Sequence, residues 1–216
     1  YRLIVLLLMI LLTIPFFTSC KSVNPYPLSE PGPFGTSYCQ ISTSDANRGN
    51  RPVNITVWYP TEKPKKSEGN QPKENAEPDK RNAPWPLLLS STKMAKALAP
   101  LVVPYGFAWA SIDNIDYWVS YNEQIIHQPL DILFALDQIA AHPPESLAGL
   151  INTDMAGTLG YSFDGFNSLA VSGARIDPAY YLAQCANPSQ IASEIQPGVK
   201  YGGYCALADR WDWFAA

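Results

Sequence analysis

The chain has 216 residues, which is enough for one domain or at most two small ones. Apolar residues make up 47% of it and charged residues 16%, and this balance excludes a wholly disordered chain. Fifteen basic and nineteen acidic residues give a net charge of -4, with no basic run outside one mixed-charge stretch, so no nucleic-acid partner is predicted. The two histidines leave little for a histidine-rich metal site.

The N-terminal residues predict export. Residues 3–17 form an apolar run of 15 residues, shorter than the ~20 of a membrane-spanning helix and typical of a signal peptide. Phe17-Thr18-Ser19-Cys20 then resembles the lipobox of bacterial lipoproteins, although Phe17 stands where leucine is usual. We therefore expect a signal peptide over residues 1–20, lipidation of Cys20 and membrane anchoring in the cell envelope. The alternative is a plain secretory signal with an incidental cysteine, which would make the protein secreted.

Three further cysteines would lie in an oxidising compartment after export. Cys185 and Cys205 flank a Pro/Gly-rich segment with little periodic pattern, so a disulfide between them would restrain a loose loop. Cys39 is then left unpaired. The alternative is three buried thiols.

Residues 21–33 are predicted to be a linker and residues 34–216 a folded domain with one insertion. The insertion, residues 61–84, contains no Val, Ile, Leu, Met, Phe, Trp, Tyr or Cys, yet it holds 11 of the 34 charged residues. Such a segment cannot bury a core, so we expect it to be solvated.

The elements before the insertion predict an antiparallel hairpin. A weak strand over Thr36–Thr43 is followed by turn residues 45–50 and by Val53–Tyr59, where apolar and polar residues alternate with the period of a half-exposed strand. The hairpin would form one edge of a sheet.

After the insertion, short apolar runs alternate with helical stretches. The predicted strands are Leu87–Leu89, Phe107–Ile112 and Asp154–Tyr161, and the predicted helices are Lys93–Val103, Asn122–Ala141 and Phe166–Ala174. This alternation predicts an α/β fold whose mostly parallel sheet is covered by helices on both faces.

The last predicted strand runs into Gly160-Tyr161-Ser162-Phe163-Asp164-Gly165. A serine between glycines at a strand-to-helix turn is the pattern of a nucleophile elbow, which lifts the hydroxyl clear of the sheet. Ser162 is therefore the candidate nucleophile. The backbone N-H of Phe163 is the candidate donor to the oxyanion that forms when a carbonyl is attacked.

At this point the chain resembles the α/β-hydrolase superfamily, and within it the dienelactone-hydrolase-like esterases and platelet-activating-factor acetylhydrolases. The motifs that carry the resemblance are Arg48-Gly49-Asn50-Arg51-Pro52 before Val57-Trp58-Tyr59-Pro60, then Gly160-Tyr161-Ser162-Phe163, then Gly173-Ala174-Arg175-Ile176-Asp177-Pro178. The resemblance implies an α/β-hydrolase fold and a serine esterase that acts on short-chain or phospholipid-type esters. A small-molecule or lipid ester is the expected substrate.

Two positions depart from the family pattern. Asp164 stands where the family usually has the first of two glycines, and it either loosens the elbow or simply begins the helix as a favourable acid. Ser90-Ser91-Thr92-Lys93 stands where the family usually has Ser-His-Gly and a longer, glycine-rich loop. The backbone N-H of Thr92 is the candidate for the second oxyanion donor.

The catalytic acid and base are not assigned. In this superfamily they follow the serine, whereas His127 and His142 both precede Ser162 and are expected to be surface or packing residues away from the C-terminal edge of the sheet. Asp177 is expected in the helix after the elbow. The resemblance thus implies the front part of a longer hydrolase, with little activity as this piece; the alternative is a non-catalytic surface lipoprotein with a degenerate hydrolase fold. No cofactor and no metal site are indicated.

Overall fold

A computed structural model of the chain describes residues 29–65, 71–113 and 124–186. By its contacts the chain divides after Glu30, and the elements below belong to the unit Pro31–Ala216. The described ranges hold six strands and four α-helices: β1 (Gly35–Asp45), β2 (Arg51–Thr61), β3 (Lys73–Glu74), β4 (Trp85–Ser91), α1 (Thr92–Val102), β5 (Ala108–Ile112), α2 (Gln124–Ala141), β6 (Ile151–Thr158), α3 (Phe163–Val171) and α4 (Pro178–Ala186). Within these ranges, no helix has the length and apolar composition needed to cross a membrane.

The predicted N-terminal hairpin is present, with longer strands than the pattern indicated. β1 and β2 pair antiparallel along their whole length. Between them, Ala46–Arg48 makes one 3-10 turn, and the Asp45 carboxylate accepts the N-H of Asn47 at 3.0 Å. Gly49 and Asn50 then take positive φ angles of 68° and 58°, which reverse the chain.

The prediction that the second hairpin strand is half-exposed is wrong. β2 pairs with β1 on one side and with β5 on the other, so it is an interior strand. Its apolar face, with Val57 fully buried, belongs to the main core. Its other face is buried as well, because Trp58 packs beside Tyr38 and in the cluster that contains Trp109 and α1. The two alternating sets of side chains on β2 therefore face two different buried clusters, and neither set faces solvent.

The sheet is mixed, with the order β3-β1-β2-β5-β4-β6. β4 pairs parallel with β5 and with β6, whereas β2 is antiparallel to both of its neighbours. α1 supplies Ala95 and Ala99 to the cluster on one face, and α2 supplies Ile132 and Ile139 to the cluster on the other face. The chain is therefore a mixed α/β structure with helices on both faces of its sheet.

The charged segment 61–84 is attached to the sheet. Most of its described side chains are exposed, yet its strand β3 pairs with β1. Ser37 of β1 donates to the carbonyl of Lys73 at 2.5 Å and accepts the N-H of Ala76 at 3.0 Å. The Arg81 guanidinium lies 5.2 Å from the centre of the Phe34 ring. The segment thus covers the outer edge of β1, the kind of edge that otherwise invites pairing with another chain.

Candidate active site

The C-terminal ends of three parallel strands meet at one edge of the sheet. Ser91, the last residue of β4, lies opposite Ile112, the last residue of β5. Leu89 of β4 lies opposite Thr158, the last residue of β6, and the N-H of Leu159 donates to the Leu89 carbonyl at 3.1 Å. The chain that leaves β6 is therefore still attached to β4 as it enters the turn with Ser162. Ligands of open α/β sheets bind at this edge.

Ser162 occupies a strained backbone position at the turn from β6 to α3. Its φ of 60° and ψ of -121° lie where residues other than glycine are rarely found. The N-H of Gly165 donates to the Ser162 carbonyl at 3.0 Å, which closes the turn, and the Ser162 side chain is exposed. β6 ends three residues earlier than predicted and α3 begins three residues earlier, so the turn has the predicted length but lies three residues nearer the N-terminus, at residues 159–162.

Gly160 allows this tight turn. A Cβ atom at position 160 would collide with the backbone carbonyl of Asp164, whereas one at Gly165 would make only an ordinary contact, 3.6 Å from the Gly160 carbonyl oxygen. Asp164 itself lies in the first turn of α3 and is buried. Its N-H donates to the Tyr161 carbonyl at 3.2 Å, a backbone hydrogen bond within the turn.

The two candidate oxyanion donors both belong to helix N-termini at this edge. Phe163 is the first residue of α3, and Thr92 is the first residue of α1. Helix N-termini carry partial positive charge and backbone N-H groups, so both favour a developing negative charge. α1 follows β4 with no loop between them. Ser90-Ser91-Thr92-Lys93 therefore runs directly from strand to helix, where the family pattern has a longer, glycine-rich loop.

The histidines differ in their positions. His142 is exposed just beyond the C-terminal end of α2. His127 lies in the first turn of α2, and its carbonyl accepts Arg48 Nη1 at 3.4 Å. Arg48 belongs to the hairpin turn, next to the end of β2 that pairs with the C-terminal end of β5. His127 is therefore near the C-terminal edge of the sheet, and the prediction that places it away from that edge is wrong. In the described part of the chain, neither histidine hydrogen-bonds to Ser162.

Asp113 and Asp177 have structural roles. Asp113, directly after β5, accepts the Thr56 hydroxyl at 2.8 Å, and its N-H donates to the Asn54 carbonyl. The prediction that Asp177 lies in the helix after the elbow is wrong: α3 ends at Val171, and Asp177 caps α4, where its carboxylate accepts the N-H of Tyr180 at 3.0 Å. Asp209 and Asp212 lie outside the described residues. Among the described residues, no group of three or more His, Cys, Asp or Glu side chains is placed to hold a metal ion.

The two arginines of the Arg48-Gly49-Asn50-Arg51 motif bind one buried carboxylate. Asp131 of α2 is fully buried and forms ion pairs with Arg48 at 2.7 Å and with Arg51 at 2.9 Å. Arg48 also pairs with Asp45 at 2.5 Å. Burial raises the pKa of Asp45, but the hydrogen bond and charge of Arg48, together with the N-H of Asn47, outweigh it and leave that pKa below its usual value. The motif thus fixes the hairpin turn onto α2.

A second buried polar contact joins α2 to the helix after the serine, and no sequence pattern predicts it. Asn167 of α3 donates to the Gln128 side chain at 2.9 Å, with both residues at least 98% buried. Single amide residues inside helices have no characteristic spacing, so only the packing of the two helices reveals the pair. The pair connects α3 to Gln128 of α2. Gln128 lies one turn before Asp131, which binds the two arginines of the hairpin turn.

The cysteines lie apart from the serine. Cys39 of β1 is a buried free thiol, and burial, with a smaller contribution from Glu74, raises its pKa to about 11. It is therefore neutral near pH 7 and unsuited to nucleophilic attack. Cys185 of α4 takes part in a disulfide. Cys20 and Cys205 lie outside the described residues, so lipidation and the pairing of Cys185 with Cys205 stay predictions.

A cleft of about 420 Å³ opens at the opposite edge of the sheet from Ser162. Its walls include Gly35, where β1 begins, and Thr61, where β2 ends, together with Lys63 and Pro104. Because β2 is antiparallel to β5, this end of β2 lies level with the N-terminal ends of the parallel strands. The cleft is thus not part of the candidate active site.

Comparisons with protein-family models and with curated proteins find no match for this chain.

Proposed function

We propose that the protein is a carboxylic ester hydrolase with an α/β-hydrolase fold and that Ser162 is its nucleophile. The observation that carries the proposal is the backbone of Ser162, which is strained and exposed between a parallel strand and the helix that follows it. Such strain costs about 1–3 kcal/mol and is found mainly where it serves function. At a strand-to-helix turn it presents the hydroxyl to a substrate.

The fold supports the same assignment. The order β1-β2-β5-β4-β6 puts the strand before the serine next to the strand before α1, so the N-termini of α1 and α3 both follow strand ends at the edge of the sheet where Ser162 lies. In the proposed reaction, Ser162 Oγ attacks the ester carbonyl carbon and its proton passes to a general base. The carbonyl oxygen becomes an oxyanion that accepts the N-H groups of Phe163 and Thr92. Loss of the alcohol leaves an acyl-enzyme, which water hydrolyses.

The substrate class and location rest on the sequence. The resemblance to platelet-activating-factor acetylhydrolases and dienelactone-hydrolase-like esterases favours short-chain or phospholipid-type esters. After removal of the proposed signal peptide, the lipidated Cys20 would hold the enzyme at the cell envelope, close to lipid substrates.

A non-catalytic surface lipoprotein with the same fold is the second candidate. It is favoured by one observation: among the described residues, no histidine hydrogen-bonds to Ser162, so no general base is identified there. A serine hydroxyl without such a base is a weak nucleophile.

Ester hydrolysis by the full-length protein tests the proposal. We expect hydrolysis of short-chain p-nitrophenyl esters, with loss of nearly all turnover in Ser162→Ala. Ser168→Ala is a matched control, because this serine lies on the same helix and donates to the Asp164 carbonyl. Turnover that is equal in Ser162→Ala and the wild type would contradict the assignment of the nucleophile, and absence of any turnover would favour the non-catalytic lipoprotein.

A further inference from the structure

Ser91, at the C-terminal end of β4, carries a buried hydroxyl without a partner. It is 1% exposed, and in the described part of the chain its Oγ makes no hydrogen bond. A buried hydroxyl without a partner destabilises a protein, so it is uncommon unless something binds to it. Ser91 is also the N-cap residue of α1, yet its side chain forms no cap hydrogen bond.

The neighbouring Ser90 shows what a structural serine does at this place. Its Oγ accepts Trp109 Nε1 at 2.7 Å and donates to the Ser91 carbonyl at 2.9 Å. Its hydrogen bonds are therefore made within the protein. The two serines are adjacent and equally buried, but only Ser90 has a structural use for its hydroxyl.

The strand pattern places the Ser91 side chain on the face of the sheet that α2 and the elbow helix α3 cover. Side chains alternate between faces along a strand. Leu87 and Leu89 belong to the core cluster that contacts Val171 of α3, and Ser91 continues that series. Ser90 follows the other series, with Leu88 and the α1 cluster. α3 packs against β4, and its N-terminus begins after Ser162 at the same edge.

We infer that Ser91 Oγ is a third donor to the negatively charged oxygen of the substrate as Ser162 attacks. This rests on the proposed function, and it adds a side-chain hydroxyl to the two backbone N-H groups. A serine hydroxyl reaches three staggered positions by rotation about one bond, so it can turn towards an incoming oxygen while the backbone stays in place. Shielded from bulk water, its hydrogen bond to an anionic oxygen is stronger than one at the surface. The N-terminus of α1 carries the partial positive charge of the helix dipole, which also stabilises a negatively charged oxygen. No acidic residue in the first turn of α1 opposes this charge.

The test compares Ser91→Ala with Ser90→Ala in the full-length protein, using the rate at which a fluorophosphonate modifies Ser162. For Ser91→Ala we expect the maximal modification rate to fall roughly 10²-fold, as for the loss of one oxyanion donor. The probe concentration at half-maximal rate should stay unchanged, and the midpoint of urea unfolding should be equal to the wild-type value or higher, because the removed hydroxyl has no partner. Ser90→Ala should do the opposite, lowering the unfolding midpoint because Trp109 loses its acceptor, while folded protein reacts within a few-fold of the wild-type rate.

Each outcome decides a different claim. A wild-type rate in Ser91→Ala overturns the inference and leaves the nucleophile assignment intact. A lower unfolding midpoint with an unchanged rate would make Ser91 a structural residue and overturns it as well. Absence of modification in the wild type removes the proposed function, and the inference falls with it.

Discussion

Ser162 holds a backbone conformation that glycine would adopt at lower cost. Its positive φ of 60° is accompanied by a ψ of -121°, and a Cβ atom in this region crowds the neighbouring peptide groups. The chain nevertheless places a serine here, two residues after Gly160, whose lack of a Cβ atom avoids a clash with the Asp164 carbonyl. This backbone strain is the structural observation that supports Ser162 as the proposed nucleophile.

Replacing Ser162 by glycine and by alanine measures this strain. Alanine keeps the Cβ atom and glycine removes it, so we expect the glycine variant to be more stable than the alanine variant by about 1 kcal/mol. The usual order is the reverse, since glycine raises the entropy of the unfolded chain. Urea unfolding of the two variants checks this prediction. An alanine variant at least as stable as the glycine variant would show that the turn is not strained.

Asp45 gives the protein a pH-dependent contribution to stability. Because its pKa is lowered in the folded state, the unfolded chain takes up a proton first as the pH falls below about 4. The stabilising contribution is present above the unfolded pKa and is lost as the pH falls through the folded pKa. We expect Asp45→Asn to be less stable than the wild type near pH 7, with a flatter loss of stability as the pH falls below about 5.

Urea unfolding at a series of pH values measures this difference. Asp154→Asn is the control, because that side chain is exposed on β6 and we expect it to leave the wild-type profile unchanged. Parallel profiles for wild type and Asp45→Asn would contradict the role given to the pair with Arg48.

At the scale of elements, two glycines distinguish the turn from the helix that follows it. Gly160→Ala places a Cβ atom against the Asp164 carbonyl, whereas Gly165→Ala places one at an ordinary contact distance inside α3. We expect the first substitution to lower the free energy of unfolding by about 2 kcal/mol or more. The second should be neutral or stabilise by up to about 1 kcal/mol. Thermal and urea unfolding of the pair checks this. Equal effects of the two substitutions would contradict the packing described for the turn.

The anchor between the hairpin turn and α2 is a buried ion-pair cluster. Asp131→Ala would leave Arg48 and Arg51 without their shared carboxylate, and removal of one partner from a buried pair is strongly destabilising. Because both arginines are partly exposed, we expect a loss of about 3 kcal/mol in the free energy of unfolding. Asp137→Ala, on the exposed side of the same helix, should change it by less than about 0.5 kcal/mol. Similar losses in both variants would contradict a specific anchor.

Element types could be predicted because apolar periodicity is a local property. The hairpin and the alternating strands and helices followed from the spacing of residues such as Val53, Ile55 and Val57. The burial of Trp58 did not follow, because it depends on Trp109 and α1, which are distant in sequence. β3 was missed for the same reason: Lys73 and Glu74 have no strand-forming pattern, and only the open edge of β1 makes them pair.

At the scale of the whole molecule, the position of Ser162 could be predicted and its surroundings could not. Glycines around a serine after an apolar run indicated the turn. The strand order, which brings Ser91 to the same edge, arises from long-range pairing that no local pattern records. The contact between Gln128 and Asn167 likewise depends on how two helices pack. The sequence therefore identified the candidate nucleophile, and the fold supplied its neighbours.

Covalent labelling of the full-length protein with a fluorophosphonate, followed by peptide mass mapping, shows whether Ser162 is the nucleophile. We predict one modification per molecule, located on Ser162, and none in Ser162→Ala. The same peptide map reports on Ser168 and Ser172, two further serines on or beside α3, which should stay unmodified. An unmodified Ser162 under conditions where a known serine esterase is fully labelled, or equal labelling of several serines, would contradict the account.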